Sequence, residues 1–268
     1  MAERRQLDAK RIVVKVGTST LIYPNGKINL KAIDQLSYTL SGLVNDGKQI
    51  VLVSSGAIGV GMGQLNLTER PTDIPAQQAL AAIGQSTLMT IYQQRFATYS
   101  QKISQMLLTH DVLDYPESRA NVLNAFDKLL DWGIIPVVNE NDTVAVDELD
   151  HKTKFGDNDQ LSAIVASIVD ADLLIMLSDI DGFYDKNPRK YQDATLLAEV
   201  NKVSKDTYEQ AGGKGSKFGT GGMLTKLKAA KRMMKNGKQM VLANGSNPSI
   251  IFRILAGEKI GTLFSRED

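Results

Sequence analysis

Residues 11–19 read Arg11-Ile12-Val13-Val14-Lys15-Val16-Gly17-Thr18-Ser19, an apolar, β-branched run that stops at a glycine and two hydroxyls. Its near-continuous apolar character predicts a strand buried on both faces, hence central in a parallel sheet. Lys15 breaks the run, and two readings of it are open. On an exposed strand face its stem would carry the ammonium group to water. In a central strand the charge needs an anion, because burying it unpaired is costly. Next to a glycine turn, phosphate is the natural candidate.

The same pattern recurs outward from this strand. Short apolar runs at Gln49–Val53, Ile103–Leu108, 134–138, 173–177 and 239–243 alternate with helical periodicity over Leu30–Asn45, 76–99, Pro116–Asp131, 159–169, 223–236 and 248–256. Asn29 suits a helix N-cap, while Gly47, Gly133 and Gly237 stand where helices stop before strands. Strands alternating with helices predict an α/β fold with a mainly parallel sheet covered on both faces. Two stretches interrupt the rhythm. Residues 143–155 alternate like a two-stranded excursion, and 179–217 are long and polar, as lids and binding loops often are. No linker separates two domains, so 1–268 reads as one domain. A division near residue 170 would make the second half a cofactor half of one continuous sheet.

Composition narrows the function. The 268 residues are 43% hydrophobic and 23% charged with a net charge of +1, so nothing draws the chain as a whole to nucleic acid or membrane. Cysteine is absent, which excludes disulfides, thiol catalysis and cysteine-held metal and fits a reducing cytosol. The polar start MAERRQLD predicts no signal peptide. No apolar run approaches the ~20 residues of a membrane span. With only His110 and His151, a histidine-rich metal site is not expected.

In open parallel sheets, ligands bind beyond the carboxyl ends of the strands. Five of the six predicted ends open into small or polar residues: Lys15 with Gly17-Thr18-Ser19, Ser54-Ser55-Gly56-Ala57, Asn139-Glu140-Asn141-Asp142, Ser178-Asp179, and Ala243-Asn244-Gly245. That agreement predicts a shared cleft. Residues 54–63, with Gly56, Gly59, Gly61 and Gly63, read as a glycine-rich turn holding a ligand or as a plain βα turn; the G-x-S-x-G elbow is absent. Asn139–Asp142 and the run FGDNDQ at 155–160 read as solvated turns, with Asp157 as a helix cap, or as facing walls of one pocket. In the second case carboxylates would grip an ammonium and amides a carboxylate. Ser178-Asp179 leads through Asp181-Gly182 to Phe183-Tyr184, either a turn or a nucleotide edge with an aromatic cover. Residues 218–226, FGTGGMLTK, are a glycine loop entering a helix, with Lys226 in its first turn. Backbone N–H groups, helix dipole and lysine would together hold a phosphate; the alternative is a linker. A Walker A loop is excluded, since the lysine follows the threonine. Lys228, Lys231, Arg232 and Lys235 read as the helix's solvated face.

Five runs, Val14–Ser19, Val53–Ile58, Val138–Asp142, Phe155–Ala163 and Gly219–Lys226, together resemble the amino acid kinase superfamily and, within it, the glutamate 5-kinases. The combination Ser-Ser-Gly-Ala, Asn-Glu-Asn-Asp and Gly-Asp-Asn-Asp is similar to the latter in particular. The resemblance implies a three-layer αβα sandwich and ATP-dependent phosphorylation of the γ-carboxylate of L-glutamate, the first step of proline biosynthesis from glutamate. It implies ATP and Mg²⁺ as cofactors. Lys15 and Lys226 would flank the transferred phosphoryl group, and Asp159 would orient both. Ser55, Asp142 and Asn158 would bind glutamate. Lys15, Ser178, Asp179, Thr220, Gly221, Gly222, Met223, Leu224, Thr225 and Lys226 would bind nucleotide. By the same resemblance, roughly 1–170 is the substrate half and 171–268 the nucleotide half. Proline is the expected feedback inhibitor, and a cytoplasmic homo-oligomer, dimer or tetramer, the expected state. Many such kinases carry a C-terminal RNA-modification-type domain; a short form without it is expected here. Superfamily kinases acting on acetylglutamate, aspartate, carbamate or uridylate share the lysines and glycine loop, but Asn139–Asp142 argues against them. A nonenzymatic sensor of amino acid or nucleotide would have no use for both lysines with Asp159.

Overall fold

The computed structural model describes residues 4–109, 115–144, 158–211 and 222–266. In chain order these form β1 (Arg11–Val16), α1 (Thr18–Leu21), α2 (Leu30–Asn45), β2 (Gln49–Val53), α3 (Ala57–Gln64), α4 (Ile74–Thr98), β3 (Ile103–Leu108), α5 (Pro116–Asp131) and β4 (Ile135–Glu140). After these come α6 (Asn158–Ile168), β5 (Leu173–Ser178), β6 (Glu199–Val200), α7 (Lys205–Gln210), α8 (Gly222–Lys235), β7 (Gln239–Asn244), α9 (Ile250–Leu255) and β8 (Thr262–Phe264). The strands build one sheet in the order β3-β4-β2-β1-β5-β7-β8-β6. Among the described strands only the β7–β8 pairing is antiparallel. β1 is central, as its apolar run predicts, with Lys15 opposite Val53 of β2 and Met176 of β5.

The strand period of two divides the sheet's side chains between two layers. Ile12, Val14, Ile50, Leu52, Leu173 and Ile175 pack with Leu36, Leu40, Tyr92, Phe96 and Ile254 from α2, α4 and α9. Val13, Val51, Val53, Leu174 and Met176 pack with Phe126, Ile164 and Leu227 from α5, α6 and α8. Lys15 shares the register of Val13, so it projects under α6 and α8. Among the described residues no helix is long and apolar enough to cross a membrane.

Local signals set the helix ends. Asn29 Oδ1 accepts the Ala32 N–H at 3.1 Å, and Gly47, Gly133 and Gly237 take positive φ after α2, α5 and α8. Asp73 caps α4 through the Ala76 N–H at 2.9 Å, so that helix starts earlier than its apolar period suggests. β4 runs past the apolar stretch into Asn139 and Glu140, which pair with Leu107 and Leu108 of β3. The polar insertion at 179–217 contains β6 and α7, the latter closed by a Ser204–Thr207 capping box. The excursion expected at 143–155 lies outside the described residues beyond Val144, as do His110, His151 and Asp157.

The segment after Ser55-Gly56, read as a turn, is the helix α3. Its glycines allow a close crossing with α4. A Cβ on Gly84 would lie 1.8 Å from the Ala57 carbonyl oxygen, and one on Gly61 would lie 2.1 Å from that of Leu80. Backbone meets backbone there, so nothing can swing aside. Gly84→Ala should therefore destabilise the fold by at least the ~1–3 kcal/mol of overpacking. A melting temperature equal to wild type would contradict this account of the crossing.

Candidate active site

Parallel pairing puts the carboxyl ends of β4, β2, β1, β5 and β7 along one sheet edge in that order. Asn139 and Glu140 end β4, Ser54 and Ser55 follow β2, Lys15 lies near the end of β1, Ser178 ends β5, and Asn244 ends β7. Residues read as contacting an amino acid thus fall on one side of Lys15, and those read as contacting a nucleotide on the other.

At the centre lies Asp159, in the first turn of α6 and 1% exposed. Its Oδ1 is 2.6 Å from Lys15 Nζ, and its Oδ2 is 2.9 Å from Lys226 Nζ. Lys226 comes from the start of α8 and folds back to its own helix, donating to the Gly222 carbonyl at 3.1 Å. The Thr225 hydroxyl lies 2.9 Å from Asp159 Oδ2, and Gln160 Nε2 donates to the Thr225 carbonyl at 2.6 Å. Together these bonds tie α8 to α6. Both lysines are buried. Burial pushes the Asp159 carboxyl up, but attraction to Lys15 and then Lys226 outweighs it, and the pKa ends below the ordinary carboxylate value. Two ammonium groups on one carboxylate leave a net positive charge in a poorly hydrated place. Such a charge favours an incoming anion.

Asn158, one residue before Asp159, faces the other way along the edge. Its Nδ2 donates to Ser55 Oγ at 2.9 Å. Ser54 beside it is buried, with its Oγ 3.0 Å from the hydroxyl of fully buried Tyr92. Burial raises the Tyr92 phenol far above its usual value, with the bond to Ser54 a smaller opposing effect. It is therefore a neutral hydrogen-bonding post. Asn139 Oδ1 accepts the Glu140 N–H at 3.0 Å, and its Nδ2 donates to Gln85 Oε1 of α4 at 2.9 Å. Asp142, half-buried, follows in the turn after β4.

On the far side of Lys15 is a cavity of about 250 Å³ lined by Ser178, Asp179, Phe183, Tyr184, Arg189, Gly222, Met223 and Lys226, among others. Asp179 Oδ1 accepts from Ser178 Oγ at 3.2 Å, and its Oδ2 pairs with Arg189 at 3.2 Å. Phe183 and Tyr184 are part of the lining, and Lys226 joins the cavity to the Asp159 cluster.

The described residues thus gather Lys15, Asp159 and Lys226 directly, Ser55 and Asn158 beside them, and Ser178, Asp179, Gly222 and Met223 in the cavity. Leu224 and Thr225 are in the first turn of α8. Thr220 and Gly221 lie outside the described residues. Tyr92 and Gln85 carry no such signal: on the long helix α4 they resemble a core aromatic and an ordinary surface amide, and only packing brings them to the strand ends.

Comparison with known proteins fits this geometry. The profile of the amino acid kinase family matches residues 10–244. The chain is 68% identical to the glutamate 5-kinase of Ligilactobacillus salivarius over 267 residues, covering 100% of both chains. It is 67% identical to that of Enterococcus faecalis over 256 residues (96% of this chain, 94% of the relative). With that of Lactiplantibacillus plantarum it shares 64% over 260 residues (97% and 98%). Among solved structures, the UMP kinase of Bacillus anthracis superposes with a TM-score of 0.63 at 16% identity, covering 97% of each chain. The isopentenyl phosphate kinase of T. acidophilum superposes at 0.61 and 17%, covering 94% of this chain and 99% of that one. At such identities the structural likeness speaks for the fold.

Proposed function

The chain belongs to the amino acid kinase family, and on that premise we propose that it transfers the γ-phosphoryl group of ATP to the γ-carboxylate of L-glutamate, giving L-glutamyl 5-phosphate and ADP. Of the family's reactions this one is supported by full-length similarity to glutamate 5-kinases. The observation that carries it is the Lys15–Asp159–Lys226 cluster, a buried positive site between the cavity and the Ser55–Asn158 pair.

A carboxylate has a pKa near ~4.3 in glutamate and is already ionised at neutral pH, so attack on phosphorus needs no general base. Asp159, engaged by two ammonium groups, is not free to serve as one. A glutamate oxygen forms the new bond to the γ-phosphorus, the bond to the β-bridging oxygen breaks, and ADP leaves with that electron pair. Catalysis is then positioning and charge stabilisation. Lys15 and Lys226 sit where negative charge spreads over the transferring group, and Asp159 keeps both aimed at it. Ser55, Asn158 and Asp142 hold glutamate; Ser178, Asp179 and the segment from Thr220 to Lys226 hold the nucleotide. On this reading residues 1–170 carry the acceptor and 171–268 the nucleotide.

Among the described residues no three His, Asp or Glu side chains gather into a metal cage. Magnesium fits as a companion of the nucleotide, since it binds largely through phosphate and water oxygens; there it would neutralise phosphate charge. Cytoplasmic placement, homo-oligomerisation as dimer or tetramer and feedback inhibition by proline are proposed from family membership.

Glutamate-dependent ADP release, with hydroxylamine trapping of the acyl phosphate, tests the reaction. ADP release indifferent to glutamate, or without hydroxamate, would overturn it. Asp142→Ala should raise the glutamate KM and leave the ATP KM near wild type, if its carboxylate grips the α-ammonium group. The opposite split would remove Asp142 from the acceptor site.

A further inference from the structure

The aromatic wall of the cavity is held from behind by residues that do not line it. Thr262, at the start of β8, is fully buried. Its hydroxyl oxygen accepts the Phe183 N–H at 2.7 Å and donates to the Leu197 carbonyl at 2.6 Å. Leu197 in turn donates its N–H to the Phe183 carbonyl at 2.8 Å. The turn into Phe183 is pressed onto this residue: a Cβ on Gly182 would meet Thr262 Oγ1 at 2.7 Å and the Leu196 side chain at 2.8 Å. One hydroxyl thus joins three chain segments directly behind Phe183 and Tyr184.

That hydroxyl is itself backed by a buried arginine. Arg5 donates to the carbonyls of Ala198 and Ile260, each at 2.6 Å, and to that of Gly261 at 2.9 Å. Ala198 follows Leu197, and Ile260-Gly261 lead directly into Thr262. The guanidinium fork thus fixes both strands of chain that the Thr262 hydroxyl bridges, a task suited to its rigid geometry.

We propose that Thr262 is a positioning residue for the nucleotide, setting the Phe183–Tyr184 wall, with Arg5 as the clasp that holds Thr262 in register. This inference rests on the reading of the cavity as the nucleotide side of the site. Thr262→Val keeps the side-chain shape and removes the hydroxyl, leaving the Phe183 N–H and the Leu197 carbonyl without it. Affinity for nucleotide should fall about tenfold, the scale of one misplaced hydrogen-bonded contact.

The test titrates mant-ATP into wild type, Thr262→Val, Thr262→Ser and Arg5→Lys, and measures KM for ATP and for glutamate in each. Thr262→Val should weaken mant-ATP and raise the ATP KM together, with the glutamate KM within about twofold of wild type. Thr262→Ser restores the hydroxyl and should return both to wild type, and Arg5→Lys should shift them in the same direction as Thr262→Val. Folded Thr262→Val with unchanged mant-ATP affinity would overturn the proposal, as would an equal rise in both KM values or a serine variant that fails to restore. Were the valine variant not to fold, Arg5→Lys with wild-type mant-ATP affinity would overturn it. Wild-type protein that binds no mant-ATP would instead sink the nucleotide reading itself. Wild type that binds mant-ATP without phosphorylating glutamate would sink only the assigned reaction.

Discussion

Lys15→Ala should fold and still bind both substrates, but its kcat should fall about 10²–10³-fold, the cost of removing one preorganised donor from a developing charge. The size follows from where the lysine sits. It is buried on the sheet's central strand and fixed at 2.6 Å by Asp159, so in the proposed reaction it would meet the transferring group without reorganising. A water molecule in the vacated space would lack both the charge and the fixed direction. Lys226→Ala should fall comparably. Because Lys226 also lines the cavity, its loss should raise the ATP KM, which Lys15→Ala should do less. Steady-state kinetics with each substrate varied separates the two lysines. Wild-type turnover in either variant would remove that lysine from the chemistry.

Asp159→Asn should damage both stability and turnover. Removing one partner of a buried charge pair typically costs ~3–5 kcal/mol, because the remaining charge stays buried and uncompensated. Here two ammonium groups would remain, a large loss against the ~5–15 kcal/mol of a whole domain. Differential scanning calorimetry should show a clear fall in melting temperature, and Lys15→Met in the asparagine background should recover part of it. The pH dependence has a defined sign. The folded carboxyl titrates below its unfolded value, so its stabilisation is complete above the unfolded pKa near ~3.9 and is lost as pH falls through the lower folded value. The variant should thus differ most from wild type at neutral pH, and the gap should narrow in strong acid. A constant gap down to the lowest pH would contradict the pairing.

The fold was largely legible because its driving signals are local. β1, β2 and β3 stand at the residues their apolar runs predict, and Asn29, Gly47, Gly133 and Gly237 mark helix ends through capping and positive φ. What was missed depends on distant partners. α3 looks like a turn because its glycines are poor helix formers in isolation, and only the crossing with α4 explains them. Asn139 and Glu140 look like loop residues, yet β3 supplies their ladder partners. β6 and β8 are too short to leave a period. In the site, Lys15 was noticeable as a charge in an apolar strand. Nothing local ties it to Asp159 and Lys226, which reach it only through the pairing of β1 with β5 and the packing of α6 and α8 above them. Tyr92 and Thr262 are less legible still, being buried core positions whose hydroxyls meet Ser54, and Phe183 with Leu197, only in the folded chain.

The position of β1 in the sheet also bears on how the molecule comes into being. β1 pairs with β2 early in the chain, but its other neighbour, β5, begins only at Leu173. A nascent chain on the ribosome therefore holds its central strand with one edge open while residues 54–172 are still being made. Pairings so far apart in sequence close slowly, and unpaired edges invite association with other chains. Lys15 stays hydrated through that interval, because Asp159 lies on the helix just before β5. The central strand is the one that waits longest for its second partner, and chaperone demand should peak before β5 has emerged.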